Sequence, residues 1–326
     1  MQIKKLNSGG IIPTYQCPAS CRHCLYGCNM KTDKDYIDKH GSEKLCKLLT
    51  ELGAASMHIG GGEPFLDFAK MTALIKAMAE HDINVEYVET NAACCTPSYT
   101  DDDIVDMLKE LKSLSANCLL ISVDPFHIEY IPLNKTLRLI RLAEKANIDY
   151  FLWQEQYLRE LLKLQADQIY SRAELEQELG ADYIYRTANN YGLFYNGRAL
   201  NIAREYKSKK NYRDFLDNDP CHTITGVSHF HADYNLKFIP PNCTGIAVDL
   251  EDIKNNNIIF EKYPVFVTLA QKGTAGLYYH AENHGFKANE TGYVSKCDLC
   301  FDIRKYLINT CPTADLYPKK YYSSDF

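Results

Sequence analysis

Three cysteines near the N-terminus, in the run Cys17-Pro-Ala-Ser-Cys21-Arg-His-Cys24, have the spacing C-x3-C-x2-C. Three thiolates on one short loop can hold three irons of a [4Fe-4S] cube and leave the fourth iron open to a bidentate amino-carboxylate. Zinc is the alternative, with Cys28 or His23 as fourth ligand, although zinc sites usually come as paired C-x2-C or Cys/His arrangements. A second set lies far along the chain: Cys221, Cys243, Cys297, Cys300 and Cys311. Between its first two members, an Asp233 to Asn235 turn signal separates apolar runs and predicts a β-hairpin that brings Cys221 and Cys243 together. Cys297-Asp-Leu-Cys300 then opens a predicted helix and completes four thiolates. Cys311 is a candidate to replace one of the four. His222, His229 and His231 lie nearby in sequence, and His229 and His231 share one strand face, so a histidine ligand is a further option. Zinc on four cysteines is the alternative for this set as well.

The elements that must position these side chains follow from hydrophobic periodicity. Strands are predicted near Ile3–Ile12, Ser56–Gly60, Val85–Thr90, Cys118–Val123, Tyr150–Trp153 and Tyr183–Tyr185. Helices are predicted over Glu43–Leu52, Phe65–His81, Asp101–Leu114, Lys135–Ala146 and Glu155–Leu179. Six alternating β/α units imply a parallel sheet with right-handed crossovers, too few to close an eight-stranded barrel. The expected fold is α/β, a partial, open (β/α)6 barrel over residues 1–206. Past the polar stretch Tyr206–Asn211 the alternation stops, and residues 207–326 read as a smaller domain of short strands (Val227–Phe238, Val265–Leu269), a hairpin and helices.

Composition bounds the function. The chain has 326 residues, 46% hydrophobic and 24% charged, which suits an ordinary globular protein of about two domains. A net charge of -6 and a pI near 5.9 give no basic field for a phosphate backbone, so nucleic acid is not an expected partner. No apolar run is long enough to span a membrane, and the N-terminus shows no secretory or transit pattern, so a cytoplasmic location is expected. Thirteen cysteines in a reducing compartment point to metal or redox chemistry rather than disulfides.

Over about residues 8–205 the chain resembles the radical S-adenosylmethionine (radical SAM) enzymes. The C-x3-C-x2-C loop, with His23 before its third cysteine, is similar to that family's signature. Gly61-Gly62-Glu63-Pro64 is similar to its glycine-rich segment, whose backbone meets the methionine amino group of SAM. Thr90-Asn91, Ser122 and Asp124 correspond to positions that contact the ribose and carboxylate, and Gly197-Arg198-Ala199 to a segment whose arginine lies near SAM. Taken singly, Gly61-Gly62 is also an ordinary turn, and Ser122 or Asp124 an ordinary cap. Gathered at the C-terminal ends of strands, they mark the face where β/α barrels carry their sites. The resemblance implies reductive cleavage of SAM to a 5′-deoxyadenosyl radical, which abstracts a hydrogen from a substrate C–H bond. An external electron donor such as flavodoxin or ferredoxin is implied with it.

The order cysteine, hairpin, cysteine, long gap, C-x2-C is similar to the twitch domain, a shortened relative of the SPASM domain. That similarity implies one auxiliary [4Fe-4S] cluster and a net oxidation or crosslinking, with a peptide as the substrate. Because the cysteine loop begins at Cys17, no separate leader-binding domain is expected. Cys94 and Cys95, next to Thr90-Asn91, are candidate hydrogen donors of the kind a peptide epimerase needs; as small apolar fillers they need no role. His127 and Glu129 are candidates to touch substrate or SAM. A small-molecule dehydrogenase and a non-catalytic zinc scaffold are the other readings.

Overall fold

The computed structural model describes residues 1–31, 35–217 and 219–323. Eight strands form one sheet: β1 (Ser8–Ile12), β2 (Ser56–Ile59), β3 (Asn84–Thr90), β4 (Cys118–Ser122), β5 (Asp149–Trp153), β6 (Ser228–Asp233), β7 (Lys237–Ile239) and β8 (Val248–Asp249). Their spatial order is β5-β4-β3-β2-β1-β6-β7-β8. From β5 to β6 every neighbouring pair is parallel, and β7 and β8 add antiparallel edges. The helices are α1 (Lys39–Glu51), α2 (Phe68–Glu80), α3 (Asp101–Ser113), α4 (Leu133–Ala146), α5 (Leu158–Leu161), α6 (Arg172–Leu179), α7 (Tyr183–Tyr191), α8 (Ala199–Tyr206), α9 (Leu250–Lys254), α10 (Pro264–Glu282), α11 (Lys296–Thr310) and α12 (Lys320–Ser323). This is an open, partial β/α barrel.

The first four helices form where the periodicity places them, and their ends explain why. Asp38 caps α1 by accepting from Gly41 N, Thr100 and Asp103 form a reciprocal capping box at α3, and Asn147 ends α4 in the left-handed conformation. Each helix then lays an apolar stripe on the sheet, as with Leu45 and Leu49 of α1 or Leu108 and Leu111 of α3, all fully buried.

Three expectations are corrected. Tyr183–Tyr185 is the first turn of α7, not a strand: the buried positions Tyr183, Ile184, Thr187 and Ala188 repeat at helical spacing, and Gly192 terminates the helix at φ 66. The sixth parallel strand is β6, which reaches the sheet on the far side of β1. Val265–Leu269 belongs to α10, where Pro264 occupies the first turn and the apolar run is buried on a helix instead of a strand. The stretch Glu155–Leu179 divides into a short 3-10 turn, α5 and α6, because Ser171 and Glu174 form a capping box that starts a new helix. The predicted hairpin is present as β6 and β7. Since β6 pairs with β1, the sheet and its core run across the polar stretch at 206–211.

β1 lies between two parallel neighbours, and its glycines let them close in. A Cβ on Gly9 would stand 2.1 Å from Phe230 O, and one on Gly10 would stand 2.3 Å from His58 Nε2 and 2.6 Å from His231 Nε2. Gly10→Ala is expected to lower stability in denaturant unfolding by about 1–3 kcal/mol through overpacking. The loss should shrink in a background carrying His58→Ala and His231→Ala, which clears the space; an equal loss in both backgrounds would refute this account.

Candidate active site and second cysteine centre

The loop carrying Cys17, Cys21 and Cys24 leaves the C-terminal end of β1, and two later segments hold it. From β2, Gly62 N donates to Thr14 O (3.0 Å) and Glu63 N to Gln16 O (2.8 Å). A Cβ on Gly62 would lie 2.1 Å from Gln16 O, and Gly61, at φ 99, would press one onto Ile12 at 2.6 Å. These glycines are therefore already required by the packing of the protein on itself. From the other side, Arg198 donates Nε to Cys21 O and Nη2 to Cys28 O, both at 2.8 Å, while its backbone N–H reaches Cys24 O at 3.1 Å. Gly197, at φ 56, sits where a Cβ would meet Leu25 O at 2.2 Å. Arg198 thus grips three carbonyls of the loop as well as lining the cavity beneath it.

Glu63 is 1% exposed and organises the next turn. Its carboxyl accepts from Phe65 N (3.1 Å), Thr90 Oγ1 (3.0 Å) and Asn91 N (2.9 Å). Asn91 Nδ2 in turn donates to Cys17 Sγ at 3.3 Å. Thr90 and Asn91 line the cavity, whereas Glu63 stands behind them and acts through them. Burial pushes the Glu63 carboxyl up to about 7, against the three hydrogen bonds that favour its ionised form.

Past β4, Ser122 lines the cavity and Asp124 turns inward beneath it. Asp124 Oδ2 lies 2.8 Å from His127 Nδ1 and 3.8 Å from His23 Nε2, and Asp124 Oδ1 accepts from Phe126 N and His127 N. Burial opposes the Asp124 charge, but the two histidines outweigh it and bring its pKa down to about 2. Burial holds His23 down at about 4, while Asp124 and Cys21 raise His127 in spite of burial. His23 is wedged among the rings of Phe126, His127 and Tyr191 at 5.0–5.1 Å. Glu129 is not among the residues that line the cavity and binds Arg22 of the cysteine loop at 2.8 and 3.0 Å. Cys94 and Cys95 are buried in the hydrophobic core and do not line the cavity, so the structure does not bring them to the site.

The cavity has a volume of about 550 Å³. Its walls include residues the sequence reading missed: Tyr26, His58, Tyr87, Glu89, Trp153 and Tyr191. His58 Nε2 lies 3.2 Å from His231 Nε2 and 3.7 Å from Glu89 Oε1. The available signal was polarity inside strands that a parallel sheet normally fills with apolar residues. His231 consequently faces the barrel cavity beside His58 and is not a neighbour of the second cysteine set. Cys28 also lines the cavity; it hydrogen-bonds Cys24, lowering the pKa of Cys24 and raising its own.

The second set gathers on three elements. Cys221 precedes a 3-10 turn and donates its N–H to Leu269 O, Cys243 follows β7, and Cys297 and Cys300 occupy the start of α11, which Ser295 caps. These four are close enough to act on one another's charge: burial first, then Cys300 and Cys221, push Cys297 up to about 11. Cys243 is raised by burial and by the other three, with Arg304 opposing. Cys311 caps the opposite end of α11, about 16 Å from Cys300 along the helix axis, and so is not brought to the group.

Among the described residues, His23, Asp124 and His127 form a group of possible metal donors whose atoms all lie within 4.8 Å of one another.

An open parallel β/α sheet with a three-thiol loop at its C-terminal mouth, facing a cavity, is the class of architecture the chain adopts. The profile of the Radical SAM superfamily matches residues 11–160. These residues form a radical SAM domain, the domain of enzymes whose cofactors are a [4Fe-4S] cluster and SAM. No curated protein matches it. Similar solved structures include native anSMEcpe with bound AdoMet, at 13% identity over 93% of this chain and 97% of that one (TM-score 0.47), and the same enzyme with the Cp18Cys peptide, at 12% over 93% and 97% (0.45). Streptococcus suis SuiB bound to S-adenosylmethionine aligns at 12% identity over 91% of this chain and 77% of that one (0.43).

The Glu63 environment sets a pH dependence. A folded-state pKa raised from 4.5 to about 7 means that the folded chain holds a proton the unfolded chain releases between those values. Stability should therefore fall as pH rises from about 4.5 to about 7 and level off above, by at most about 3 kcal/mol for this group. Glu63→Gln should flatten that part of the curve in denaturant unfolding of the metal-free protein; an unchanged slope refutes it. Arg198→Met, which loses the grip on Cys21 and Cys28 carbonyls, should retain less iron at the first cluster after desalting than wild type, as read by iron per chain; full retention would count against the clasp.

Proposed function

We propose that this chain is a radical SAM oxidoreductase that oxidises or crosslinks a peptide, with Cys17, Cys21 and Cys24 holding the SAM-binding cluster. In this reading residues 207–326 form the auxiliary-cluster domain, with Cys221, Cys243, Cys297 and Cys300 as ligands. The observation that carries it is the gathering of four cysteines from three separate elements into a second group, apart from the Cys17–Cys24 loop. When bound, the cluster and SAM supply one-electron hydrogen-abstraction chemistry. The chain's own residues position and exclude. Arg198, Gly62 and Glu63 hold the cysteine loop against the barrel mouth, and Asn91 donates to the Cys17 sulfur. Thr90, Ser122 and His127 line the wall where SAM fits, and the His23–Asp124–His127 group fixes the positions of its polar edges. Trp153 and Phe194, 41% and 61% exposed, give the cavity an aromatic rim that suits peptide side chains. The second centre supports a net oxidation, because it offers the substrate electron a place to go. Flavodoxin or ferredoxin is the proposed reductant. No helix among the described residues is long and apolar enough to cross a membrane; a reducing, cytoplasmic setting belongs to this reading because thiolate ligands must stay unoxidised.

Iron and sulfide on anaerobically reconstituted protein test both centres. Wild type should carry about eight irons, falling to about four in Cys17→Ala/Cys21→Ala/Cys24→Ala and to about four in Cys297→Ala/Cys300→Ala. Under reducing conditions with SAM, 5′-deoxyadenosine should form in wild type and not in the first variant. Zinc in place of iron, or no SAM cleavage by fully loaded protein, would overturn the reading.

A further inference from the structure

One full positive charge is buried beside the second cysteine centre, and among the described residues no carboxylate binds it. Arg304 is 1% exposed and heads the fully buried side chains by size. Its Nη1 donates to Thr244 O at 2.7 Å and to Tyr322 Oη at 2.9 Å, and Nε to Cys300 O at 3.3 Å. The rings of Phe301 and Tyr322 lie 5.8 and 5.7 Å from the guanidinium. All of these acceptors are neutral. Among the described residues, the ionisable groups that act on it most strongly are Tyr322, Cys300, Cys243 and Tyr321, none of them a carboxylate. The neighbouring acid on α11, Asp298, is taken by Arg204 at 2.8 Å. Arginine cannot escape by losing its proton, and an unbalanced buried charge is strongly destabilising. Neutral thiols leave it unbalanced; thiolates ionised by a metal centre do not.

We propose that Arg304 is the counter-charge of an anionic metal–thiolate centre at Cys221, Cys243, Cys297 and Cys300, and that it sets that centre's retention and reduction potential. The proposal rests on the auxiliary-centre reading above. Four thiolates outweigh the positive charge of the metal core they hold, so the loaded centre is net negative and becomes more so on taking up an electron. A fixed cation at Cys300 and Cys243 stabilises the loaded state over the empty one and the reduced state over the oxidised one. Tyr322 and Thr244 hold the guanidinium in place through Nη1.

The test uses full-length protein in the Cys17→Ala/Cys21→Ala/Cys24→Ala background, so that the second cluster alone is observed. Arg304→Met should lose half or more of the remaining iron, or keep it with a lower midpoint potential by EPR redox titration. Arg304→Lys, which keeps the charge, should restore iron and potential towards the parent values. Thermal unfolding supplies a readout that a space-filling role would not move: Arg304→Met should destabilise the metal-loaded protein but leave the metal-free protein equally or more stable. Full iron with unchanged potential in a folded Arg304→Met protein would overturn the proposal. So would an equal destabilisation of loaded and metal-free protein. If Arg304→Met does not fold when metal-free, the side chain is structural and the proposal fails. Failure of the auxiliary-centre reading is separately visible as unchanged iron in Cys297→Ala/Cys300→Ala.

Discussion

The mouth of the barrel depends on one constraint: the loop after β1 must lie directly against the end of β2, backbone on backbone. Gly62 N and Glu63 N reach Thr14 O and Gln16 O, and the missing Cβ of Gly62 makes the approach possible. Once that contact is made, Glu63 points to the end of β3, gathers Thr90 and Asn91, and Asn91 returns to Cys17. A single closed circuit of hydrogen bonds therefore connects three strand ends to one sulfur. Its members Glu63, Thr90, Asn91 and Cys17 are buried, which strengthens each bond and makes any broken one expensive. The same burial holds the Glu63 carboxyl near 7, so the circuit is built at some cost to the ionised form of its central acid.

The two halves of the chain meet through buried polar groups as well as through the sheet. Asp233, at the end of β6, accepts from Tyr15 (3.1 Å) beside the first cysteine loop and from Tyr317 (2.7 Å) near the C-terminus. Tyr321 accepts from Gly197 N at 2.9 Å and hydrogen-bonds Thr244, which also binds Arg304 through its carbonyl. Gly197 and Arg198 in turn grip the first loop. A continuous run of contacts thus leads from the second cysteine centre to the first. The two cysteine groups are joined through one network of hydrogen bonds.

The cavity at the first loop is unusual for a parallel sheet. His58, Glu89 and His231 stand on three different strands at mid-barrel, where branched apolar residues would pack best. Gly10 and Gly60 make room for them, since a Cβ on Gly60 would lie 2.5 Å from Glu89 Oε2. Two local choices that weaken β1 and the β2 end are accepted to place polar side chains in the interior. Departures of this kind collect at functional sites.

How much of this was legible follows from the range of each interaction. The spacing of Cys17, Cys21 and Cys24, the glycines at 61 and 62, the capping boxes and the first five strands are local, and periodicity with turn chemistry reveals them. The pairing of Cys221 with Cys243 was legible for the same reason, through the hairpin between them. Tyr183–Tyr185 and Val265–Leu269 misled because short apolar or aromatic runs suit strand and helix equally, and packing against the rest of the core decided for helix. Only the tertiary structure could place β6 against β1, turn His231 towards His58, carry Cys311 to the far end of α11, and take Cys94 and Cys95 away from the cavity. Residues far apart in sequence meet by burying shared surface, and no local rule encodes which surface that is. The sequence by itself determined the chemistry available, through its thiols and their spacing; the fold determined which thiols meet and which charges, Arg304 among them, are sealed in beside them.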